Sequence, residues 1–445
     1  MWRGTCAAAA IALAAILNLH QLFLGAGLLE CLSSSKLLVG GANALWLRSV
    51  RNGMAAEGIP APNRTEAYAG ALLMDVYEPA ELPHRGGGTP RPALLYFHAG
   101  AFITGGREFG RGMCSWAAAH GLVCFSVSYS LTTGGFGVVQ AIRDAWAAID
   151  HVRTHAKRLH IDPKRIVVAG DSAGALLALS LATGLRPHAA TQAPRSALPA
   201  AAIAGWPVVT LGARSYAPRR GPAGAWLPTP AGDAFPTSNV FVPAGKPSST
   251  ADATHEALRL AMAGALQIFG HNGWRPSSAL HPTVDEQEAA AAAISPLSLA
   301  GRRDLPPMLL FGGGSDEIVP VSQAERFVEE ARAAGNDAAL LIFDGAGHGG
   351  GGLNCQVGRD AAALFLRHHL RLPGAYSQRH ERTAADEYVD AAMRVFGVAP
   401  AEYASPRMQM CENLHFHPWL QRRATVRVSR APPAECMKKA RVTSK

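Results

Sequence analysis

The apolar run Ile166-Val167-Val168-Ala169 stops at Gly170-Asp171-Ser172-Ala173-Gly174 and gives way to the small-residue run Ala175-Leu176-Leu177-Ala178-Leu179. A buried strand, a serine flanked by glycines and a helix of small residues leave the chain few ways to fold. The strand must reverse sharply into the helix, with the serine side chain turned outward at the bend. Glycine two residues to either side of Ser172 removes Cβ atoms that would collide in so tight a turn. The helix start then presents backbone N–H groups beside the serine, where negative charge is favoured. By itself the pentad also fits an ordinary strand-to-helix turn.

Three more loops follow three more predicted strands. After Met308-Leu309-Leu310-Phe311 the loop Gly312-Gly313-Gly314-Ser315-Asp316-Glu317-Ile318-Val319-Pro320 carries Asp316, the candidate orienting carboxylate. After Ala339-Leu340-Leu341-Ile342-Phe343 the loop Asp344-Gly345-Ala346-Gly347-His348-Gly349 carries His348, the candidate general base. Serine is a poor nucleophile at neutral pH; it needs an imidazole to take its proton, and the imidazole needs a carboxylate to fix its tautomer. Upstream, Ala93-Leu94-Leu95-Tyr96-Phe97 ends in His98-Ala99-Gly100-Ala101-Phe102. Small residues there let the backbone approach a substrate, so the N–H groups of Gly100 and Ala101, with that of Ala173, are the candidate oxyanion hole. His98 is assigned to bracing this loop rather than to proton chemistry. Singly, each residue has a plainer reading: His348 as a surface histidine, Asp316 as a cap for the helix after Pro320, His98 as a strand end. The order Ser, Asp, His on successive strand ends is what joins them.

On these motifs the chain resembles α/β-hydrolases of the carboxylesterase and lipase type, in the hormone-sensitive-lipase-like and feruloyl-esterase-like branch. His98-Ala99-Gly100-Ala101 is similar to that branch's His-Gly-Gly-Gly or His-Gly-Gly-Ala motif. Met74-Asp75-Val76-Tyr77-Glu78-Pro79 is similar to its Leu-Asp-Val-Tyr-x-Pro strand, and Gly313 to Pro320 to its Gly-x-x-Asp-x-x-Val-Pro. The departure is Ala99, where the family usually has glycine. The resemblance implies an α/β-hydrolase fold with a mostly parallel central sheet, helices on both faces and a helical cap or lid. It also implies a cofactor-free serine hydrolase that cleaves carboxylic esters through an acyl-enzyme. Expected substrates are small esters of short acyl groups or aromatic acids and, if the leader anchors the chain in a membrane, prenylated-cysteine methyl esters. Two other classes stay open: a peptidase or amidase, whose oligopeptidase relatives often have a glycine where this chain has Ala175, and a silent binding protein, which usually lacks the histidine.

Composition and periodicity agree with a large globular α/β domain. With 445 residues, 48% hydrophobic and 17% charged, the chain can bury a sizeable core. Leu122-Val123-Cys124-Phe125-Ser126-Val127 precedes Ile142, Ala145, Trp146, Ile149 and Val152, spaced as one helix face. Such alternation, with near-continuous apolar strands, predicts a parallel sheet covered on both sides. The expected layout is a leader over 1–35, a linker over 36–68 and a catalytic domain over 69–370. Within the domain, a flexible insertion is expected over about 210–254 and, over about 255–270, a helix carrying Leu258, Met262, Ala265 and Phe269, read as a cap with a buried core helix as the alternative.

The two ends differ from the middle. Residues 4–29 are uncharged after Arg3 and read as a signal peptide or signal anchor, directing the chain to the secretory pathway, secreted or held at an endomembrane. Asn63-Arg64-Thr65 is a glycosylation sequon. Residues 371–445 hold 13 Lys and Arg against 7 Asp and Glu, most of the net charge of +9. A solvated, partly disordered extension is expected there, with association to anionic surfaces as the alternative. No nucleic-acid motif accompanies the basic residues. Among seven cysteines, Cys6 lies in the leader and Cys124 in a predicted core strand, which leaves at most two bridges among the others. No metal site is expected; His415-Phe416-His417 alone is too sparse a ligand set.

Overall fold

A computed structural model of the protein describes residues 28–80, 89–131, 137–187, 189, 191–211, 219–220, 226–227, 291–316, 318–372, 384–396 and 425–428. Among these residues the apolar runs form one nine-stranded sheet. Its strands are β1 (Arg64–Ala69), β2 (Leu72–Tyr77), β3 (Arg91–Phe97), β4 (Val123–Val127), β5 (Ile161–Asp171), β6 (Ala201–Gly205), β7 (Met308–Gly313), β8 (Ala338–Phe343) and β9 (Thr425–Val428). They lie in the order β1-β2-β4-β3-β5-β6-β7-β8-β9. β1 and β2 pair antiparallel, as do β2 and β4, and every pairing from β4 to β9 is parallel.

Parallel neighbours need crossovers, and helices supply them: α2 (Arg111–Ala119), α3 (Val138–Thr154), α4 (Ala173–Thr183), α5 (Val321–Ala333) and α6 (Gln356–Leu370). Alternation along β3 shows why the strands read as unbroken apolar runs. Ala93, Leu95 and Phe97 join the core formed with α3, α4 and α5, while Leu94 and Tyr96 join the one formed with α2 and α6. The predicted face of α3, Ile142 to Val152, is buried throughout. Every residue of α4 is buried too, Ser180 and Thr183 included, and the helix closes on Gly184 with φ 79°. The chain leaves β3 toward β4 on one side and returns through α3 to β5 on the other. That reversal opens a crevice at the carboxyl ends of β3 and β5, the place where α/β sheets bind ligands.

Both ends of the chain are more structured than their composition suggests. A helix, α1 (Leu28–Ala56), runs across the boundary expected at residue 35, and β1 joins the sheet from Arg64. The basic extension supplies α7 (Ala384–Val395) and β9, and these described parts are packed rather than solvated. Val50 and Met54 of α1, Ile59, and Ala391 and Ala392 of α7 form a third apolar cluster. Arg359 of α6, 2% exposed, pairs with Asp386 of α7 at 2.9 Å and Asp390 at 3.2 Å, which fastens α7 to the domain.

One expectation is corrected outright. Cys124 is bridged to Cys114, with their Cα atoms 5.1 Å apart. Burial in a strand does not exempt a cysteine when its side chain faces a helix. Val123, Phe125 and Val127 point to one core, whereas Cys124 points to the other, against Cys114 of α2. The leader up to residue 27, the expected cap helix, almost all of the insertion and the His415-Phe416-His417 pair lie outside the described residues. Among the described residues, no helix is long and apolar enough to cross a membrane.

Candidate functional site

Ser172 sits where β5 turns into α4, at φ 54° and ψ −116°. That backbone is costly for a non-glycine residue, on the order of 1–3 kcal/mol, and persists only where its surroundings hold it. Its N–H donates to Gly205 O at 2.8 Å, and its carbonyl accepts from Ala175 and Leu176. The pentad glycines are needed for contact: a Cβ on Gly174 would lie 2.0 Å from the carbonyl oxygen of Phe97. Elbow and β3 end therefore touch backbone to backbone, which brings Ala173 N–H to the loop that carries Gly100 and Ala101.

Asp316 and His348 reach the serine from the ends of β7 and β8, on the far side of β6. The loop after β7 places Asp316 with its side chain 1% exposed. Its Oδ1 accepts from the N–H groups of Ile318 and Val319, both at 2.9 Å, and its Oδ2 accepts from His348 Nδ1 at 2.8 Å. Local capping and the contact with histidine thus use different oxygens of one carboxylate. On the far side of the ring, His348 Nε2 lies 3.0 Å from Ser172 Oγ. With Nδ1–H donated to the carboxylate, Nε2 is left as an acceptor for the serine proton. The structure thus brings together the three side chains singled out in the sequence.

The loop after β3 is held in an unusual shape. Ala101 has φ 55° and Phe102 φ 62°, and the carbonyl of Gly100 accepts from the N–H groups of Ile103 and Thr104 at 2.9 and 3.0 Å. Among the described residues, no backbone carbonyl outside the regular elements accepts from Gly100, Ala101 or Ala173 N–H. His98 is 1% exposed and donates Nδ1–H to Ala99 O at 2.7 Å. Its ring stacks on Tyr129 at 4.2 Å, and the Tyr129 hydroxyl donates to His98 O at 2.8 Å. Burial pushes the imidazole down to about 4, against the pull of the Ala99 hydrogen bond. His98 is therefore neutral at physiological pH and fixed at the root of the loop.

Two neighbours escaped sequence reasoning. Tyr96 donates its hydroxyl to Asp171 Oδ2 at 2.5 Å, joining β3 to the residue before the serine. Burial pushes the Asp171 carboxyl up to about 6, opposed by that hydrogen bond and by His348. Trp206, just past β6, has φ 46° and donates its indole N–H to Gly350 O at 3.0 Å, in the histidine loop. Neither contact has a local signature, since the partners lie on different strands and loops. Among the described residues, no cluster of three or more His, Cys, Asp or Glu side chains is placed to hold a metal ion.

Esterase LipI of Mycobacterium tuberculosis is 35% identical over 119 residues, covering 26% of this chain and 36% of its own. Esterase LipC of the same organism is 26% identical over 326 residues, covering 65% of this chain and 64% of its own. The chain thus spans less than two thirds of the length of either relative. Among solved structures, the native Est2 esterase of Thermogutta terrifontis aligns with a TM-score of 0.45 at 25% identity, over 65% of this chain and 84% of that one. The profile of the alpha/beta hydrolase fold family matches residues 94–350, from β3 through the loop that carries His348, and the chain belongs to that family.

Proposed function

We propose that this protein is a serine hydrolase that cleaves carboxylic esters. The observation that carries the reading is the unbroken line from Asp316 Oδ2 through His348 to Ser172 Oγ, with steps of 2.8 and 3.0 Å, ending on a strained elbow. Ser172 Oγ attacks the acyl carbon as His348 Nε2 takes its proton, and Asp316 stabilises the imidazolium that forms. The N–H groups of Gly100, Ala101 and Ala173 hold the oxyanion, each donor contributing roughly 3–4 kcal/mol to transition-state stabilisation. His348 then protonates the departing alcohol, and water repeats the cycle on the acyl-enzyme. The names of LipI and LipC, both esterases, favour an ester over an amide.

The test is turnover of p-nitrophenyl esters of increasing acyl length by the full chain, beside Ser172→Ala, His348→Ala and Asp316→Asn. Both alanine variants should lose at least about 10³-fold in kcat, and Asp316→Asn about 10⁴-fold, because its amide permits the wrong histidine tautomer. A folded parent without turnover on any ester, or a Ser172→Ala variant that keeps parental activity, would sink the proposal.

We also read the chain as a protein of the secretory pathway, secreted or held at an endomembrane. The apolar leader and the Cys114–Cys124 bridge support this, because such bridges persist in oxidising compartments. Recovery of the chain from cytosol with both thiols reduced would overturn it.

A further inference from the structure

We propose that Asn43, in α1 and outside the span shared with the family, is a positioning residue for the oxyanion loop; this rests on the esterase reading above. The Asn43 side-chain oxygen accepts from Gly105 N–H at 2.9 Å and from the Thr104 hydroxyl, and its Nδ2 donates to Gly105 O at 3.3 Å. One side chain therefore engages both backbone groups of Gly105, as a neighbouring strand would. The other side of Thr104 faces inward, its N–H donating to Gly100 O. That carbonyl and the N–H of Ala101 belong to one planar peptide unit and point in opposite directions. Fixing the first aims the second. The route runs from Asn43 to Thr104, to the carbonyl of Gly100, to the oxyanion donor of Ala101.

The helix that presents Asn43 is anchored independently. Trp46 meets Phe109 edge-on at 4.9 Å, and Met54 and Val50 are buried, all on the face that carries Asn43. Gly105 also lets the loop lie against His98: it has φ +99°, and a Cβ there would lie 2.6 Å from His98 Nδ1. Removing the Asn43 amide should therefore leave α1 docked and loosen the loop alone.

The experiment compares the full chain with Asn43→Ala, Asn43→Asp and Thr104→Val, with the exposed Leu45→Ala as control. It reads thermal midpoint, amide hydrogen exchange over residues 100–106, and kcat and KM on p-nitrophenyl acetate. Asn43→Ala should speed loop exchange and lower kcat by about 10- to 100-fold while KM stays within about 3-fold, since the donor acts on the transition state. Asn43→Asp keeps both acceptor contacts but sets a carboxylate oxygen against Gly105 O, and should recover part of kcat. Thr104→Val should shift kcat the same way as Asn43→Ala, and Leu45→Ala should change nothing. Parental exchange and kcat in Asn43→Ala overturn the assignment, as does a loss that tracks the thermal midpoint and is not recovered by Asp. A parent without ester turnover overturns the esterase reading and the positioning role with it. An active parent whose exchange and kcat ignore Asn43 overturns the positioning role alone.

Discussion

The indole N–H of Trp206 and the carbonyl of Gly350 tie the end of β6 to the loop that holds the histidine, across 144 residues of chain. Trp206 is itself pinned by its N–H to Phe311 O at 2.8 Å, and its ring meets His348 edge-on at 6.4 Å. The loop that must keep Nε2 facing the serine is thus hung from the sheet. Trp206→Phe keeps most of the ring and removes the donor, leaving a buried carbonyl unmet. We expect a loss of about 1–3 kcal/mol in urea unfolding and a fall of about 10-fold in kcat from misplaced imidazole. A variant with parental midpoint and parental kcat would show that packing alone holds the loop.

Arg359 stands between two buried carboxylates. Beyond Asp386 and Asp390, its guanidinium donates to Gln356 Oε1 at 3.1 Å and Leu353 O at 3.3 Å. Arg359→Met should cost about 3–5 kcal/mol, because it removes the cation and leaves the acids buried. The triple variant Arg359→Met, Asp386→Leu, Asp390→Leu should regain most of that loss. Guanidinium unfolding at neutral pH decides it; a single-variant loss under about 1 kcal/mol would mean that solvent already screens the acids.

His98 makes the fold sensitive to acid. Its imidazole takes a proton at about 4 in the folded protein, below the ordinary value of 6.5. The unfolded chain therefore binds the proton more readily between those values. Stability from this group is complete above pH 6.5 and falls as the pH drops through 4, by up to ~1.4 kcal/mol per unit. Asp171 works in the opposite sense, since its raised carboxyl favours the folded state as pH falls from about 6. His98→Phe preserves a ring against Tyr129 and should flatten the stability profile between pH 6.5 and 4 relative to the parent. Parallel profiles for parent and variant would refute the assignment.

Much of the fold is legible from the chain because its signals are local. β3, β5, β7 and β8 are short apolar runs that end in glycine-marked loops, and α3 shows its buried face at helical spacing. The residues that meet at the site stand at those strand ends, so their grouping follows from strand order. What stays hidden joins distant segments. Asn43 reaches Gly105 across 62 residues from a stretch overshadowed by the apolar leader, and nothing near Trp206 points to Gly350. Arg359 and Asp386 belong to helices that composition alone assigns to a domain and its basic tail. The Cys114–Cys124 bridge is hidden too, because burial in a strand does not reveal which way a side chain faces.

The placement of β9 bears on how these molecules treat one another. Without residues 425–428, β8 would offer Ala338–Phe343, six apolar residues with open N–H and C=O groups, as the margin of the sheet. Such a margin is a template on which a neighbouring chain can add a strand. Four residues, Thr425–Val428, occupy it instead, ending the sheet in a shorter strand. A chain trimmed at Leu370 loses that guard and should self-associate more readily than the full chain.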